Sequence, residues 1–132
     1  MIFVDTSFWI ALAVDADARH RDASELLAAH ASAALATSSD VRGETWTFAR
    51  RRFGHRAAVA LLDRIEQAPR LQVLRSGPTD EQEAWAWLRR HDEREYSFVD
   101  ATSFALMRRL AIREALAFDG DFAAAGFVEL RA

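Results

Sequence analysis

Ile2-Phe3-Val4-Asp5-Thr6-Ser7 places an acid at the end of a short apolar run, directly before two hydroxyl residues typical of a helix start. An acid also directly follows apolar residues where Phe98-Val99 precede Asp100 and where Leu116-Ala117-Phe118 precede Asp119. A carboxylate beside such stretches loses hydration, which is costly unless a positive charge meets it. Several such acids converging on one point would repel one another, and a divalent cation relieves that repulsion. The pattern therefore raises the hypothesis of a metal site.

The composition is that of one folded domain. The chain has 132 residues, 51% of them hydrophobic, and no apolar run approaches the ~18 residues of a membrane span. The N-terminus enters an apolar run without a basic leader, so we expect a cytoplasmic protein with a single domain over residues 1–132. Cysteine is absent, which excludes thiolate chemistry and leaves oxygen ligands for a metal. All 17 basic residues are arginine, which excludes any mechanism that requires a lysine.

The alternation of short apolar runs with helical patterns predicts an α/β domain with a mostly parallel five-stranded sheet. The predicted strands cover residues 2–4, 34–37, 71–74, 115–118 and 127–130. Predicted helices cover residues 8–13, 18–31, 55–67 and 97–110. A further helix begins after capping residues at 38–40 and ends at 52, and a sixth helix ends near residue 90. A capping box of Thr79 and Gln82 begins the last of these. Ligands bind such sheets outside the carboxyl ends of the strands, where Asp5 and Asp119 fall.

Asp5 and Asp100 also have ordinary explanations as residues of helix starts. Asp5 fits an N-cap, although Thr6 and Ser7 can cap that helix and leave Asp5 without a structural role. Asp100 stands three residues after Ser97, which is the spacing of a capping box, and an acid in the first turn suits the helix dipole. The burial expected after two apolar residues weakens this explanation for Asp100.

Glu44 and the Asp119-Gly120-Asp121 segment are the other acidic candidates. Asp-Gly is an ordinary turn, and only its place after an apolar strand gives that segment weight. For Glu44 the structural alternative is an ion pair with Arg42 or Arg51. Against it, a glutamate is uncommon on an apolar helical stripe, and Glu44 shares the spacing of Val41, Thr45 and Phe48.

Four segments together resemble the PIN domain, specifically the VapC toxin ribonucleases of prokaryotic toxin–antitoxin pairs. They are Val4-Asp5-Thr6-Ser7, the segment from Ser39 to Glu44-Thr45, Tyr96-Ser97-Phe98-Val99-Asp100-Ala101-Thr102-Ser103-Phe104, and Phe118-Asp119-Gly120-Asp121-Phe122. The third is the most specific, and the resemblance spans almost the whole chain in the right order. It implies a three-layer α/β/α fold, with a five-stranded parallel sheet between helices.

The resemblance also implies which residues form the site. The family's catalytic and metal-binding quartet falls on Asp5, Glu44, Asp100 and Asp119. Asp121 fits a variable extra acid, and either member of the Asp119/Asp121 pair could take the fourth place. Thr6 matches the family's hydroxyl neighbour, and Ser97 is a second supporting residue.

The implied function is that of a Mg²⁺- or Mn²⁺-dependent endoribonuclease, the toxin of a toxin–antitoxin pair, which hydrolyses RNA phosphodiesters with metal-activated water. Either ion suits carboxylate and hydroxyl ligands without thiolate. We expect an RNA substrate, a VapB-like antitoxin and a second copy of the chain as partners, and no membrane. Trp9, Trp46 and Trp85 could contact such a partner, and plain core packing explains them equally well.

Arginines are expected to steer RNA toward the site, because clustered acids and a net charge of −3 repel phosphates. The densest group follows the helix that carries Glu44, and any one member could equally lie on a solvated helix face. The candidates for RNA binding are Arg42, Arg50, Arg51, Arg52 and Arg56.

Other functions fit the sequence less well. A phosphoacceptor receiver domain requires a lysine, and a phosphatase of the haloacid-dehalogenase type requires Asp-x-Asp where this chain has Asp5-Thr6-Ser7. Two alternatives stay open: a catalytically inactive PIN-like binding module in a repressor complex, and a housekeeping RNA-processing nuclease without an antitoxin. The sequence does not indicate which RNA is cut, which antitoxin binds, or whether one or two metal ions take part.

Overall fold

The computed structural model describes residues 1–132 and contains five strands and seven helices. In chain order these are β1 (Ile2–Val4), α1 (Thr6–Ala13), α2 (His20–Ala29), β2 (Leu35–Ser38), α3 (Ser39–Phe53), α4 (His55–Glu66), β3 (Leu71–Leu74), α5 (Pro78–Arg90), α6 (Phe98–Arg109), β4 (Glu114–Leu116), α7 (Asp121–Ala124) and β5 (Val128–Glu129). None of the helices combines the length and the apolar character that crossing a bilayer requires.

The sheet is parallel throughout, in the order β3-β2-β1-β4-β5. Successive strands move outward from β1 to β3, and the chain then returns to the other side of β1, which creates a switch point between β1 and β4. Right-handed crossovers place α1–α4 on one face and α5–α7 on the other, in agreement with the helix pairs that pack together. The predicted α/β fold with a parallel five-stranded sheet is confirmed.

The core fixes the strand ends that carry the acids. Phe3, Val4 and Leu116 are fully buried, and Phe104 of α6 packs edge-on against Phe122 with ring centroids 5.1 Å apart. Each such side chain contributes about 2 kcal/mol by leaving water. The carboxyl ends of β1 and β4 and the first turn of α6 are therefore held by the best-packed part of the molecule.

Helix α5 begins differently from the prediction. Its N-cap is Gly77, and the Gly77 N–H donates to Asp80 Oδ2 at 2.9 Å, so the predicted box of Thr79 and Gln82 is wrong. The reason is Pro78, whose fixed φ suits the first helical position and starts the helix earlier.

Strand β4 ends at Leu116, two residues earlier than predicted, because the Phe118 N–H bonds to the Ser7 hydroxyl (3.0 Å) and not to a neighbouring strand. The following turn leads into α7, which the sequence pattern did not predict. A helix of four residues is too short to show a period.

The three tryptophans differ in exposure. Trp9 of α1 is buried in the hydrophobic core, so core packing is the interpretation that holds for it. Trp46 is half-buried, whereas Trp85 is 53% exposed and stacks on Phe98 with ring centroids 4.4 Å apart. Trp85 therefore remains available for a partner.

Candidate metal centre

The predicted acids meet at the carboxyl end of the sheet, around the switch point between β1 and β4. One carboxylate oxygen from each of Asp100, Asp119 and Asp121 lies within 4.8 Å of the others. Asp5 and Glu44 line an open cleft of about 350 Å³ together with Asp119. Asp119 belongs to both groups and so connects the cluster of three aspartates to the cleft of Asp5 and Glu44.

Asp5 caps helix α1 with one carboxylate oxygen and leaves the other without a partner. Its Oδ2 accepts hydrogen bonds from Ser7 N (3.3 Å) and from Ser7 Oγ (2.9 Å). The expectation that Thr6 and Ser7 take over the capping is wrong, because the helix already includes Thr6 and only Asp5 has the extended backbone of an N-cap. Asp5 Oδ1 is buried and accepts no hydrogen bond, a condition that costs about 1–3 kcal/mol when nothing compensates it.

Ser7 has a second role that sequence reasoning missed. Besides donating to Asp5, its hydroxyl accepts a hydrogen bond from Phe118 N at 3.0 Å. One side chain therefore fixes the acid after β1 and the start of the turn that carries Asp119. No local signal reveals this contact, because its two partners lie 111 residues apart in the chain.

Asp100 is held by a complete capping box at the start of α6. Ser97 N donates to Asp100 Oδ2 at 2.9 Å, and Asp100 N donates to Ser97 Oγ at 2.9 Å. The predicted capping box is confirmed. Since the cap engages Oδ2, Asp100 Oδ1 can face the neighbouring acids.

The turn between β4 and α7 presents Asp119 and Asp121 to the same space. Gly120 between them has a φ of 81°, the left-handed conformation that glycine adopts at little cost. Asp121 N donates to Asp119 Oδ1 at 3.1 Å, while Asp121 Oδ1 accepts from Arg94 Nε at 2.7 Å. Asp121 is thus paired with a cation, and the carboxylate of Asp119 is not.

Glu44 lies on the wall of the cleft, half-buried and without an ion pair to either predicted partner, Arg42 or Arg51. The apolar stripe predicted through Glu44 is displaced. The buried residues of α3 are Val41, Thr45 and Ala49, and Phe48 is 41% exposed. Glu44 therefore borders the core and faces the cleft.

Thr6 connects α1 to the helix of Glu44. The Thr6 and Thr45 hydroxyls share a hydrogen bond of 3.2 Å, and Thr45 Oγ1 also donates to Val41 O at 2.8 Å. This link sets the distance between Asp5 and Glu44 across the cleft.

The acids raise one another's pKa values. Burial raises the pKa of Asp5 well above its usual range, and the charges of Asp119 and Asp100 add to the rise. Burial, with smaller contributions from Asp119 and Asp121, raises the pKa of Asp100 to about 6. Desolvation and then the charge of Asp121 raise the pKa of Asp119. No arginine forms an ion pair with Asp5, Asp100 or Asp119, so the charges of these three carboxylates are not compensated.

One of the five arginines predicted to bind RNA lies beside the acids. Arg51 lines a second cleft with Glu44 and Phe48. The guanidinium of Arg52 lies 5.9 Å from the centre of the Phe48 ring. Neither this cleft nor the cleft of Asp5 is lined by Arg42, Arg50, Arg52 or Arg56.

Two arginines near the acids were missed. Arg19 lines the cleft with Asp5 and Asp119, and Arg94 bonds to Asp121. Both lie outside regular helices and strands, where hydrophobic periodicity gives no information. The only available signal for Arg94 was the dense run of charges at residues 91–95.

The donor set fits a hard divalent cation. It consists of carboxylate and hydroxyl oxygens, which Mg²⁺ and Mn²⁺ prefer, in a chain without cysteine. The buried Oδ1 of Asp5 is the observation that tests the fit, because no donor meets this oxygen and only a proton or a cation can neutralise it. A divalent cation would at the same time relieve the repulsion from the neighbouring acids, which raises the pKa of Asp5.

The chain belongs to the PIN-domain family, whose model matches residues 2–128. Similar proteins are the 23S rRNA-specific endonucleases VapC20 of two Mycobacterium tuberculosis strains, CDC 1551 / Oshkosh and H37Rv. Each is 57% identical over 132 residues, which cover 99% of this chain and 98% of the relative. The crystal structure of M. tuberculosis VapC20, described as a sarcin-ricin loop cleaving toxin, aligns over 100% of both chains at 55% identity with a TM-score of 0.91. The resemblance found in the motifs is confirmed.

Proposed function

We propose that this chain is a metal-dependent endoribonuclease that acts as the toxin of a toxin–antitoxin pair. The observation that carries the proposal is the buried, unpartnered Oδ1 of Asp5 in a cleft shared with Asp119 and close to Asp100. PIN nucleases generally use divalent metal ions, and 57% identity to VapC20 endonucleases over 99% of this chain supports the same chemistry. RNA cleavage by hydrolysis is the activity that this site suits best.

Asp5 and Asp100 are the acids we propose to hold Mg²⁺ or Mn²⁺ directly, with Glu44 acting directly or through water. When bound, such an ion lowers the pKa of a coordinated water and stabilises the charge that develops on the scissile phosphate. Asp119, with its exposed carboxylate, is suited to hold that water or to bind a second ion.

Ser7, Ser97 and Thr6 are proposed to orient these acids. Ser7 and Ser97 each bind one oxygen of an acid and leave the second oxygen toward the cleft. Thr6 spaces the helices that carry Asp5 and Glu44. Such supporting hydrogen bonds typically change metal affinity or activity by about 10–100-fold.

RNA is proposed to approach along the exposed end of α3. Arg51 lines the second cleft with Glu44, and Arg19 lines the cleft of Asp5 and Asp119, so these two arginines are the ones we propose to bind phosphates near the scissile bond. The remaining candidates on α3 and α4 line neither cleft and would attract RNA at longer range: Arg42, Arg50, Arg52 and Arg56.

The sarcin-ricin loop of 23S rRNA is the substrate we propose, because the VapC20 proteins that act on it match this chain over its full length. A cytoplasmic site of action follows from a ribosomal substrate. A VapB-like antitoxin and a second copy of the chain are proposed partners, and the exposed Trp85 offers them an apolar contact. An inactive binding module is disfavoured, because such a protein has no need to keep a costly cluster of acids.

The proposal is tested by incubating the purified protein with a sarcin-ricin hairpin and with a hairpin of scrambled loop sequence. We expect cleavage of the first alone, with Mg²⁺ or Mn²⁺, and at least about 100-fold slower cleavage by Asp5→Asn and Asp100→Asn. Asp63→Asn, an exposed acid on α4, is the matched control with unchanged rate. Cleavage that persists in chelator, or in both site variants, would contradict the metal-carboxylate mechanism; equal cutting of both hairpins would contradict the substrate alone.

Expression in growing cells separates a toxin from a binding module. We expect growth arrest with the natural protein and normal growth with Asp5→Asn. Arrest by the variant at equal protein level would show that binding, and not cleavage, is the harmful activity.

A further inference from the structure

Arg94 makes the strongest contact with the acidic turn, and neither the sequence motifs nor the proposed mechanism uses it. Its Nε donates to Asp121 Oδ1 at 2.7 Å, and its Nη2 donates to Asp119 O at 3.1 Å. The guanidinium therefore binds one carboxylate and one backbone carbonyl of the same three-residue turn. A charge-assisted bond of this length is among the stronger hydrogen bonds in proteins.

Gly120 provides the space for this contact. A Cβ built on Gly120 would lie 3.2 Å from Arg94 Nη2, closer than a side chain normally allows. The left-handed φ of 81° also favours glycine at this position. The turn is thus shaped both to place two acids and to accept a guanidinium against its backbone.

Distance alone does not decide which acid of the turn binds a metal, since Asp119 and Asp121 are both within 4.8 Å of Asp100. Their partners differ, however. Asp121 would have to break its bond to a guanidinium that never loses its charge. Asp119 accepts a backbone N–H through Oδ1 and lies beside the Asp5 carboxyl, and no cation binds its carboxylate, so a metal would not have to displace an arginine there.

We propose that Arg94 is a positioning residue that keeps Asp121 away from the metal, so that Asp119 is the acid the turn supplies. This inference rests on the proposed metal site. The positive charge of Arg94 also repels the ion from the Asp121 side and directs it toward Asp5, Asp100 and Asp119.

The test is Mn²⁺ binding by calorimetry in the absence of RNA. In the natural protein we expect Asp119→Asn to weaken binding by about tenfold or more and Asp121→Asn by less than about threefold. Arg94→Ala removes a cation and frees a carboxylate, so we expect it to tighten binding by about threefold or more. In the Arg94→Ala background, Asp121→Asn should then cost about tenfold, because Asp121 has become a ligand.

Two further variants separate positioning from general effects. Arg94→Lys keeps a positive partner for Asp121 and should keep the effect of Asp121→Asn small. Arg89→Ala removes another exposed arginine and should leave Mn²⁺ binding unchanged. A urea unfolding curve for each variant checks that it is folded under the conditions of the Mn²⁺ titration.

The outcomes distinguish a wrong role for Arg94 from a wrong metal site. If Asp121→Asn weakens binding as much as Asp119→Asn in the natural protein, or if Arg94→Ala leaves the affinity unchanged, the role of Arg94 is wrong while the metal site stands. If the natural protein binds no Mn²⁺, the metal site of the proposed function fails, and the inference fails with it.

Discussion

Replacing Asp100 with asparagine is expected to stabilise the metal-free protein at neutral pH. Asp100 is 7% exposed, and burial, with help from Asp119 and Asp121, raises its pKa from 3.8 to about 6. Asparagine has nearly the same shape and no charge, and its Oδ1 can still accept the hydrogen bond from Ser97 N. The substitution removes repulsion and desolvation cost while it keeps the helix cap.

The size of the effect follows from the pKa shift. A carboxyl group whose pKa is higher in the folded state binds its proton more tightly there, so deprotonation destabilises the fold. The resulting loss of folding free energy is absent below about pH 4, grows as the pH rises from 3.8 to about 6, and reaches its full size above about pH 6. A rise of about two pKa units corresponds to about 3 kcal/mol. At pH 8 we therefore expect Asp100→Asn to be up to about 3 kcal/mol more stable than the natural protein, and equally stable at pH 4.

Urea unfolding in chelator at pH 4 and pH 8 measures this difference, and Asp80→Asn is a control of opposite sign. Asp80 is also buried, but Arg109 binds both its oxygens at 2.9 and 3.1 Å, and these hydrogen bonds lower its pKa. The ionised Asp80 stabilises the fold at pH values above the pKa that Asp80 has in the unfolded chain. This stabilisation is lost as the pH falls through the lower pKa that Asp80 has in the folded protein. Asp80→Asn should therefore cost about 2 kcal/mol at pH 8.

The reasoning is refuted if Asp100→Asn is no more stable than the natural protein at pH 8, or if its gain is the same at pH 4. Saturating Mg²⁺ should remove the advantage of the variant. Only the natural protein gains binding free energy from the ion, about 2.7 kcal/mol at 100 times the dissociation constant.

Two further substitutions test the support of the site and the path of RNA. Ser7→Ala removes the hydroxyl that joins Asp5 to Phe118 N, so we expect about 1–2 kcal/mol lower stability by urea unfolding and slower cleavage; Ser7→Thr, which keeps a hydroxyl, should retain more of both. Arg51→Ala should lower the slope of log RNA affinity against log salt by about one, with unchanged Mn²⁺ binding. An unchanged slope in a binding titration would show that Arg51 does not contact RNA phosphates.

Local signals sufficed for much of the fold and for the position of the acids. The apolar run before Asp5 and the Ser97–Asp100 spacing involve neighbouring residues, and both appear in the structure as the sequence indicated. The contacts that were missed join distant parts of the chain. Arg94 reaches Asp121 across 27 residues, and such a pairing depends on how α6 and β4 pack.

The wrong start of α5 and the wrong burial of Phe48 have a related cause. Gly77 has no side chain to signal an N-cap. Phe48 has the spacing of a core residue but is exposed and lines the two clefts. Propensity and period describe what a segment can form, whereas its neighbours decide which residue faces them.

Asp5, Asp100 and Asp119 each bind a neighbouring donor of the fold with one oxygen and leave the other without a donor, so the structural and the metal-binding interpretations are not alternatives. Oδ2 of Asp5 binds Ser7, Oδ2 of Asp100 binds Ser97 N, and Oδ1 of Asp119 binds the N–H of Asp121. A cap orients a carboxylate without neutralising it, because the donors are uncharged. Asp121 is the exception: its bond is to the guanidinium of Arg94, which supplies the charge as well as the hydrogen bond. The same distinction explains why an ordinary capping role, taken alone, never argued against a metal at Asp5 or Asp100, whereas an ion pair does argue against one at Asp121.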